Sequence, residues 1–151
     1  MTTPSTMLTS SIARDSNTNS GTATYTFRLT QNPAMEASSR LLITFPSETQ
    51  LTGSTACTDL SASALVCTHL SNVLTVDLGS SAINAQAEFG VIVSNVVNPP
   101  SFKSITGFYF LTQTSSGLNR YAELTSTDTL SNSVPSSFQS VSATFSNRQY
   151  G

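Results

Sequence analysis

The stretch Thr22–Gln31, TATYTFRLTQ, decides the fold class. Tyr25, Phe27 and Leu29 alternate with Thr24, Thr26, Arg28 and Thr30, the period-two pattern of a strand with one face in a core and the other in water. Asn32-Pro33 ends it, because proline has no N–H for the ladder. Outward from this strand the pattern recurs. Leu41, Ile43 and Phe45 form the inward set of a second strand that Pro46 stops, and the intervening MEASS reads as a loop. Val66, Thr68 and Leu70, then Ser71-Asn72, then Leu74, Val76 and Leu78 read as a hairpin turning within residues 70–73. Phe89, Val91 and Val93 interleave with Ile92 and Val96, which makes a strand apolar on both faces and places it in the middle of a sheet.

Asn98-Pro99-Pro100-Ser101 breaks that strand. Phe108 and Phe110 oppose Tyr109 and Leu111 across the next, and Ser115-Ser116-Gly117 turns the chain into a shorter strand at 121–125. Val141, Ala143 and Phe145 alternate with Ser140, Ser142 and Thr144 in a final amphipathic strand. With a further strand at 7–13, about eight or nine short strands are expected and no helix. The expected fold is all-β: an immunoglobulin-like antiparallel β-sandwich. Without Trp, and without a widely spaced Cys…Trp…Cys arrangement, the likeness to immunoglobulin domains is one of architecture alone.

A chain of 151 residues fits one domain with a core of its own, so residues 1–151 are read as a single module. Charged residues make up only 9%, whereas Ser and Thr together form a third of the chain. The surface is therefore covered by hydroxyls. A net charge of −2 with one lysine offers no basic stripe for a phosphate backbone, which excludes nucleic acid as a partner. No run has the apolar length of a membrane-spanning helix, and the opening MTTPSTMLTSSIARD lacks the basic flank and apolar run of a signal peptide. Export is thus expected either of a chain whose leader is gone or of a fragment of a longer one. No asparagine begins an N-x-Ser/Thr sequon, so the expected glycans are O-linked, on hydroxyl clusters such as 2–9 and 131–137. An intact mass of native material equal to that of the bare chain removes this expectation.

Cys57 and Cys67 are too far apart for a CxxC redox site and too few for a four-ligand zinc site. A local disulfide is the simplest use, set against two buried thiols, and is worth roughly 3 kcal/mol through loop closure. His69, the sole histidine, is the sole neutral-pH imidazole base, and no G-x-S-x-G elbow accompanies it. The carboxylates fall singly along the chain, without the local pairing that points to a glycosidase. The string 15–21, DSNTNSG, offers alternating oxygen side chains, but Ser20 and Thr26 stand where a calcium loop needs Gly and Glu, so it reads as a polar turn. The expectation is a protein that is not an enzyme and holds no metal or cofactor.

YTFRLTQNPAMEASSRLLITFPSE, the two cysteines and VIVSNVVNPPSFKSITGFYFLTQTSSG resemble modules repeated in very large surface proteins of ciliates and other protists, over residues 20–130. The positions concerned are Tyr25, Phe27, Asn32, Pro33, Ile43, Phe45, Pro46, Cys57, Cys67, Asn98, Pro99, Pro100 and Ser101, most of them core or turn positions. The resemblance implies an extracellular β-sandwich used for structural display at a cell surface. A second likeness is internal: LTSSIARDSNTNSG near the start resembles VSATFSNRQYG at the end. If residues 141–145 correspond to 8–12, then Leu8, Ser10 and Ile12 at one end and Val141, Ala143 and Phe145 at the other are candidate assembly strands. Residues 1–13 and 138–151 become strand-exchange or inter-module segments, and the partners are copies of the chain or homologous neighbouring modules. The functional expectation is a structural subunit of an extracellular filament or coat that assembles head to tail by strand exchange or augmentation. A cell-surface adhesion or glycan-binding module is the alternative.

Overall fold

Tyr25 and Phe27 are wholly buried and Leu29 is 1% exposed, as their alternation requires, in a computed structural model that describes residues 5–132. Ten strands form in chain order. They are β1 (Ser5–Arg14), β2 (Thr22–Gln31), β3 (Arg40–Thr44), β4 (Ala56–Asp59), β5 (Ala64–Leu65), β6 (Cys67–Leu70), β7 (Val73–Asp77), β8 (Glu88–Val97), β9 (Tyr109–Gln113) and β10 (Arg120–Thr125). The expected final strand, with Val141, Ala143 and Phe145, lies outside the described residues.

The strands run β5-β4-β8-β2-β1 in one sheet and β10-β9-β3-β7-β6 in the other, and β1 belongs to both. Ser5 and Thr6 pair in parallel with Ala122 and Glu123 of β10, after which β1 pairs antiparallel with β2 from Met7 to Arg14. Every other ladder is antiparallel. The fold is an immunoglobulin-like β-sandwich, with ten strands among the described residues rather than the eight or nine expected. Short β4 and β5 account for most of the difference: ACTD and AL are too brief to show a period.

Between the sheets Tyr25 and Phe27 of β2 meet Phe45, Phe108 and Phe110 from the opposite sheet, with ring centroids as close as 5.6 Å and mostly edge to face. β8 sits between β2 and β4, in the middle position its two apolar faces require. Asn95, with φ 59°, forms a bulge opposite the Ala23–Tyr25 stretch and turns Val96 into the core. Gly90 lies against the Phe27 carbonyl and the Leu60 side chain, so close that a Cβ there cannot be accommodated without movement. The hairpin of β6 and β7 turns at Ser71-Asn72 as expected, with Ser71 at φ 54°. Its facing is corrected, however: Leu74 and Val76 point inward, but so does Cys67, while Val66 and Leu70 are 69% and 83% exposed. The disulfide imposes this parity on β6 against its apolar pattern.

Cys57 and Cys67 are bonded, with their Cα atoms 6.1 Å apart. Cys57 stands on β4 in one sheet and Cys67 on β6 in the other, so the bridge pins the sheets together along one side. Along the opposite side β1 does so by crossing between them. The short sequence separation had suggested a staple within a loop, and topology makes it an inter-sheet tie. Reduction is expected to lower stability by about 3 kcal/mol through the loop released in the unfolded chain. The far-UV circular dichroism at 25 °C should stay native, because the aromatic core and the β4–β8 ladder do not depend on the bond. Loss of the native β spectrum at 25 °C on reduction alone would contradict this.

Candidate assembly edge and polar pole

β1 carries the N-terminal candidate residues. Leu8 is the bulged residue between the Met7–Gln31 and Thr9–Thr30 pairs, at the point where β1 leaves one sheet for the other. Ser10 and Ile12 are half-buried and face inward, Ile12 against the core, while Thr9, Ser11 and Ala13 are exposed. The Ser10 hydroxyl donates to Ser126 Oγ at 3.3 Å. Seven registered pairs fix β1 on β2. Antiparallel ladder bonds alternate along a strand, and the Asp15 N–H donates to the Thr24 carbonyl. Thr9, Ser11 and Ala13 therefore spend their backbone groups on β2, and Ser10, Ile12 and Arg14 turn theirs the other way. On that side β1 and β10 diverge beyond Thr6–Glu123, leaving a cleft of about 260 Å³ lined by Thr9, Ser10 and residues 124–128. The C-terminal candidates Val141, Ala143 and Phe145 lie outside the described residues.

The end of β1 reaches a polar network that sequence reasoning missed. Asn98, 1% exposed, accepts on Oδ1 from the Tyr25 hydroxyl at 2.7 Å and from Arg14 Nη1 at 3.1 Å. Its Nδ2 donates to the carbonyls of Ser16 and Thr18, both at 3.0 Å. Arg14 also donates to Asn132 Oδ1 at 2.9 Å and to the Ser131 carbonyl at 2.6 Å, and lies over the Tyr25 ring. Asn132 Nδ2 in turn donates to the carbonyls of Ser101 and Lys103. Burial raises the Tyr25 pKa above its ordinary value, and the neighbouring Arg14 offsets part of this. Asn98 read only as a strand breaker before two prolines; a buried amide at the close of an apolar strand was the available signal. The 15–21 loop is thus tied down by an asparagine amide.

A second buried contact crosses the sandwich, from the Thr112 hydroxyl on β9 to Gln31 Oε1 on β2 at 2.6 Å. Both side chains are fully buried, and Gln31 Nε2 donates onward to the Pro33 carbonyl. The candidate catalytic groups are engaged elsewhere. His69 is exposed on β6, with Nε2 3.0 Å from the Thr52 carbonyl. Asp59 accepts from the Ser61 and Ser63 N–H groups, Asp77 pairs with Arg40, Glu88 with Arg28, and Glu123 accepts from the Tyr109 hydroxyl at 2.6 Å. Among the described residues no three His, Cys, Asp or Glu side chains gather as a metal site, and no helix is long and apolar enough to cross a membrane. The exposed apolar side chains are scattered: Val66 and Leu70 on the β6 arm, Phe102 between β8 and β9, and Leu118 in the β9–β10 hairpin.

No family model matches the chain, and no curated protein matches it. Among solved structures it is similar to BslA, a bacterial hydrophobin, at 16% identity over 83% of this chain and 97% of that one, with a TM-score of 0.49. It is similar to AvmM, which catalyses macrocyclization in alchivemycin A biosynthesis, at 11% identity over 86% and 91%, with a TM-score of 0.45. A third is an uncharacterized Nocardia farcinica protein with an immunoglobulin-like fold, at 13% identity over 88% and 90%, with a TM-score of 0.38. None of the three lends this chain its activity.

Proposed function

We propose that this chain is a structural subunit of an extracellular filament or surface coat, joined head to tail by β-strand augmentation, with residues 141–145 as the donated strand. One observation carries the reading: the first and last described residues lie at opposite poles of the sandwich. Ser5 pairs with Ala122, whose other neighbour Thr112 bonds to Gln31 at the close of β2, whereas Asn132 is held by Arg14 at the pole of Asn98. A segment leaving one copy at its Asn98 pole points toward the next copy in a stack, and a contact of this kind does not close on itself unless the geometry makes a ring. The alternating residues Val141, Ala143 and Phe145 suit a strand added to a sheet edge.

Augmentation is favoured over exchange at the N-terminal strand, because the place beside β2 is already filled by β1 in seven registered pairs. The role is non-enzymatic, with His69, Asp59, Asp77, Glu88 and Glu123 serving turns, ion pairs, a tyrosine hydroxyl and backbone groups. Hydroxyls in place of charges, with O-linked sugar on some, keep such a surface hydrated. The resemblance to repeated surface modules of protists agrees with this setting. The clefts beside Arg14, Arg40 and Leu124 are lined by aliphatic, hydroxyl and charged side chains rather than by rings that would stack on a sugar, so glycan binding has less support.

Deleting residues 140–151 tests the reading by electron microscopy. The truncated chain should stay soluble and β-rich but form no fibres, and fibres of unchanged width and spacing would refute the C-terminal donor. Deleting residues 1–13 is not an equivalent control, since it strips β1 from β2.

A further inference from the structure

We infer that the free edge of β6 is a pairing surface for a second copy of this chain, the two β6 strands joining antiparallel about a two-fold axis at Thr68. This contact is separate from the head-to-tail one and does not depend on it. β5 and β6 are the two ends of the strand order, and β5 has only two residues. On β6 the phase of the ladder is fixed by the Asp77 N–H, which donates to the Val66 carbonyl at 2.9 Å. Bonds in an antiparallel ladder recur at every second residue, so Val66, Thr68 and Leu70 spend their backbone groups on β7. Cys67 and His69 turn theirs to the open side, where these groups have no hydrogen-bond partner among the described residues. The side chains of those two residues leave the edge clear, because both are directed across the sandwich. Cys67 reaches Cys57 on β4, and His69 reaches the loop before β4, with Nε2 3.0 Å from the Thr52 carbonyl.

Sheet edges are commonly guarded by lysine, proline or a bulge. β6 has none of these: from Leu60 to Val76 the chain holds no Lys, Arg, Asp, Glu or Pro, and the register of β6 on β7 is unbroken. The lack of fixed charge matters most for a copy of itself, because a two-fold contact sets a surface against the same surface. One register lets both open residues pair. Cys67 faces His69 of the second copy and His69 faces its Cys67, each couple exchanging two N–H···O=C bonds. Thr68 then stands opposite Thr68, and Val66 stands opposite Leu70 in both directions. Val66 and Leu70 are 69% and 83% exposed, and the parity set by the disulfide is what turns them to water. A strand of another sequence can fill the backbone bonds, but a second copy also covers both of these side chains with apolar partners.

About five residues a side take part, against about 20–30 in a stable dimer interface. The pair is accordingly weak in dilute solution and forms most fully where copies are already held close, as in a coat or between neighbouring filaments. A two-fold contact closes on itself, so it joins copies in twos and does not extend a row of them. The product is a sheet continuous from β10 of one copy, through both β6 strands, to β10 of the other.

Thr68→Cys in the full-length chain tests the axis, with Ser115→Cys, exposed in the β9–β10 hairpin, as the control for random collision. Mild oxidation at high protein concentration should link Thr68→Cys chains into covalent pairs on a non-reducing gel several-fold faster than the control. Peptide mapping should place the new bond at position 68 and find the native Cys57–Cys67 bond retained. Adding Leu70→Lys or His69→Pro should each slow the linkage several-fold while far-UV circular dichroism stays native. The first sets a charge against Val66 of the second copy, and the second removes an outward N–H without taking a bond from β7. Equal rates for Thr68→Cys and Ser115→Cys would overturn the proposal, whether the edge is then covered by another part of the chain or by a different protein. Undiminished linkage in both added variants would overturn it too, because the pair would not be made through the β6 backbone.

Discussion

Replacing Phe27 by Ala is expected to cost about 3–5 kcal/mol of unfolding free energy, the range for removing a fully buried aromatic ring. Phe27 lies at the centre of the sandwich, with its ring within 6.1 Å of Tyr25, 5.6 Å of Phe45, 5.6 Å of Phe108 and 5.7 Å of Phe110. These neighbours come from both sheets, so the cavity left by Ala cannot close by moving one strand. β2 is itself held on both sides, by β1 and β8, which limits relaxation further. Urea unfolding followed by circular dichroism measures the loss. The matched control is Phe102→Ala, whose ring is 56% exposed, and its effect should stay within about 0.5 kcal/mol. A Phe27→Ala loss below about 1.5 kcal/mol would show that the aromatic cluster is not the centre of cooperative burial.

Replacing Asn98 by Ala is expected to cost about 2–4 kcal/mol, although it removes few apolar contacts. All the polar capacity used by this side chain is internal: it accepts from Tyr25 and Arg14 and donates to two carbonyls of the β1–β2 loop. Ala leaves those four groups without these partners, and the penalty comes chiefly from the Tyr25 hydroxyl, which is buried. Asn98→Asp should also destabilise near neutral pH, since a carboxylate oxygen then faces the Ser16 and Thr18 carbonyls where Nδ2 had donated. Equal stability of Asn98→Ala and the parent chain in urea would mean that water replaces the network without cost. The hydroxyl of Tyr25 adds a pH signature. Burial raises its pKa above the ordinary 10.0, so its contribution is intact below about pH 10 and declines as pH climbs through the raised value. Tyr25→Phe should reduce that alkaline loss.

Much of the sandwich was legible because alternation is a local property. A strand buried on one face must repeat with period two, and TYTFRLT, LLITF and VLTVD do so within five to seven residues. The turns were legible for the same reason: Asn-Pro, Ser-Asn and Ser-Ser-Gly act on their own backbone. β6 shows where this fails. Val66, Thr68 and Leu70 alternate well enough to look inward, yet the bond at Cys67 turns that face of the arm to water. β4 failed differently, being too short to carry a period of its own and existing as a strand because β8 supplies its partner.

Composition and pattern by themselves determined an all-β chain with a hydroxyl-rich surface, inward aromatics and two cysteines within reach of each other. Those properties depend on residues close together in the sequence. Only the tertiary structure decided that the disulfide ties one sheet to the other, and that Asn98 gathers Arg14 and Tyr25 across separations of 84 and 73 residues. It also decided that β1 crosses between the sheets. Strand partners are chosen by packing among many strands of similar pattern, and a period of two says which face of a strand is buried but not which strand lies beside it.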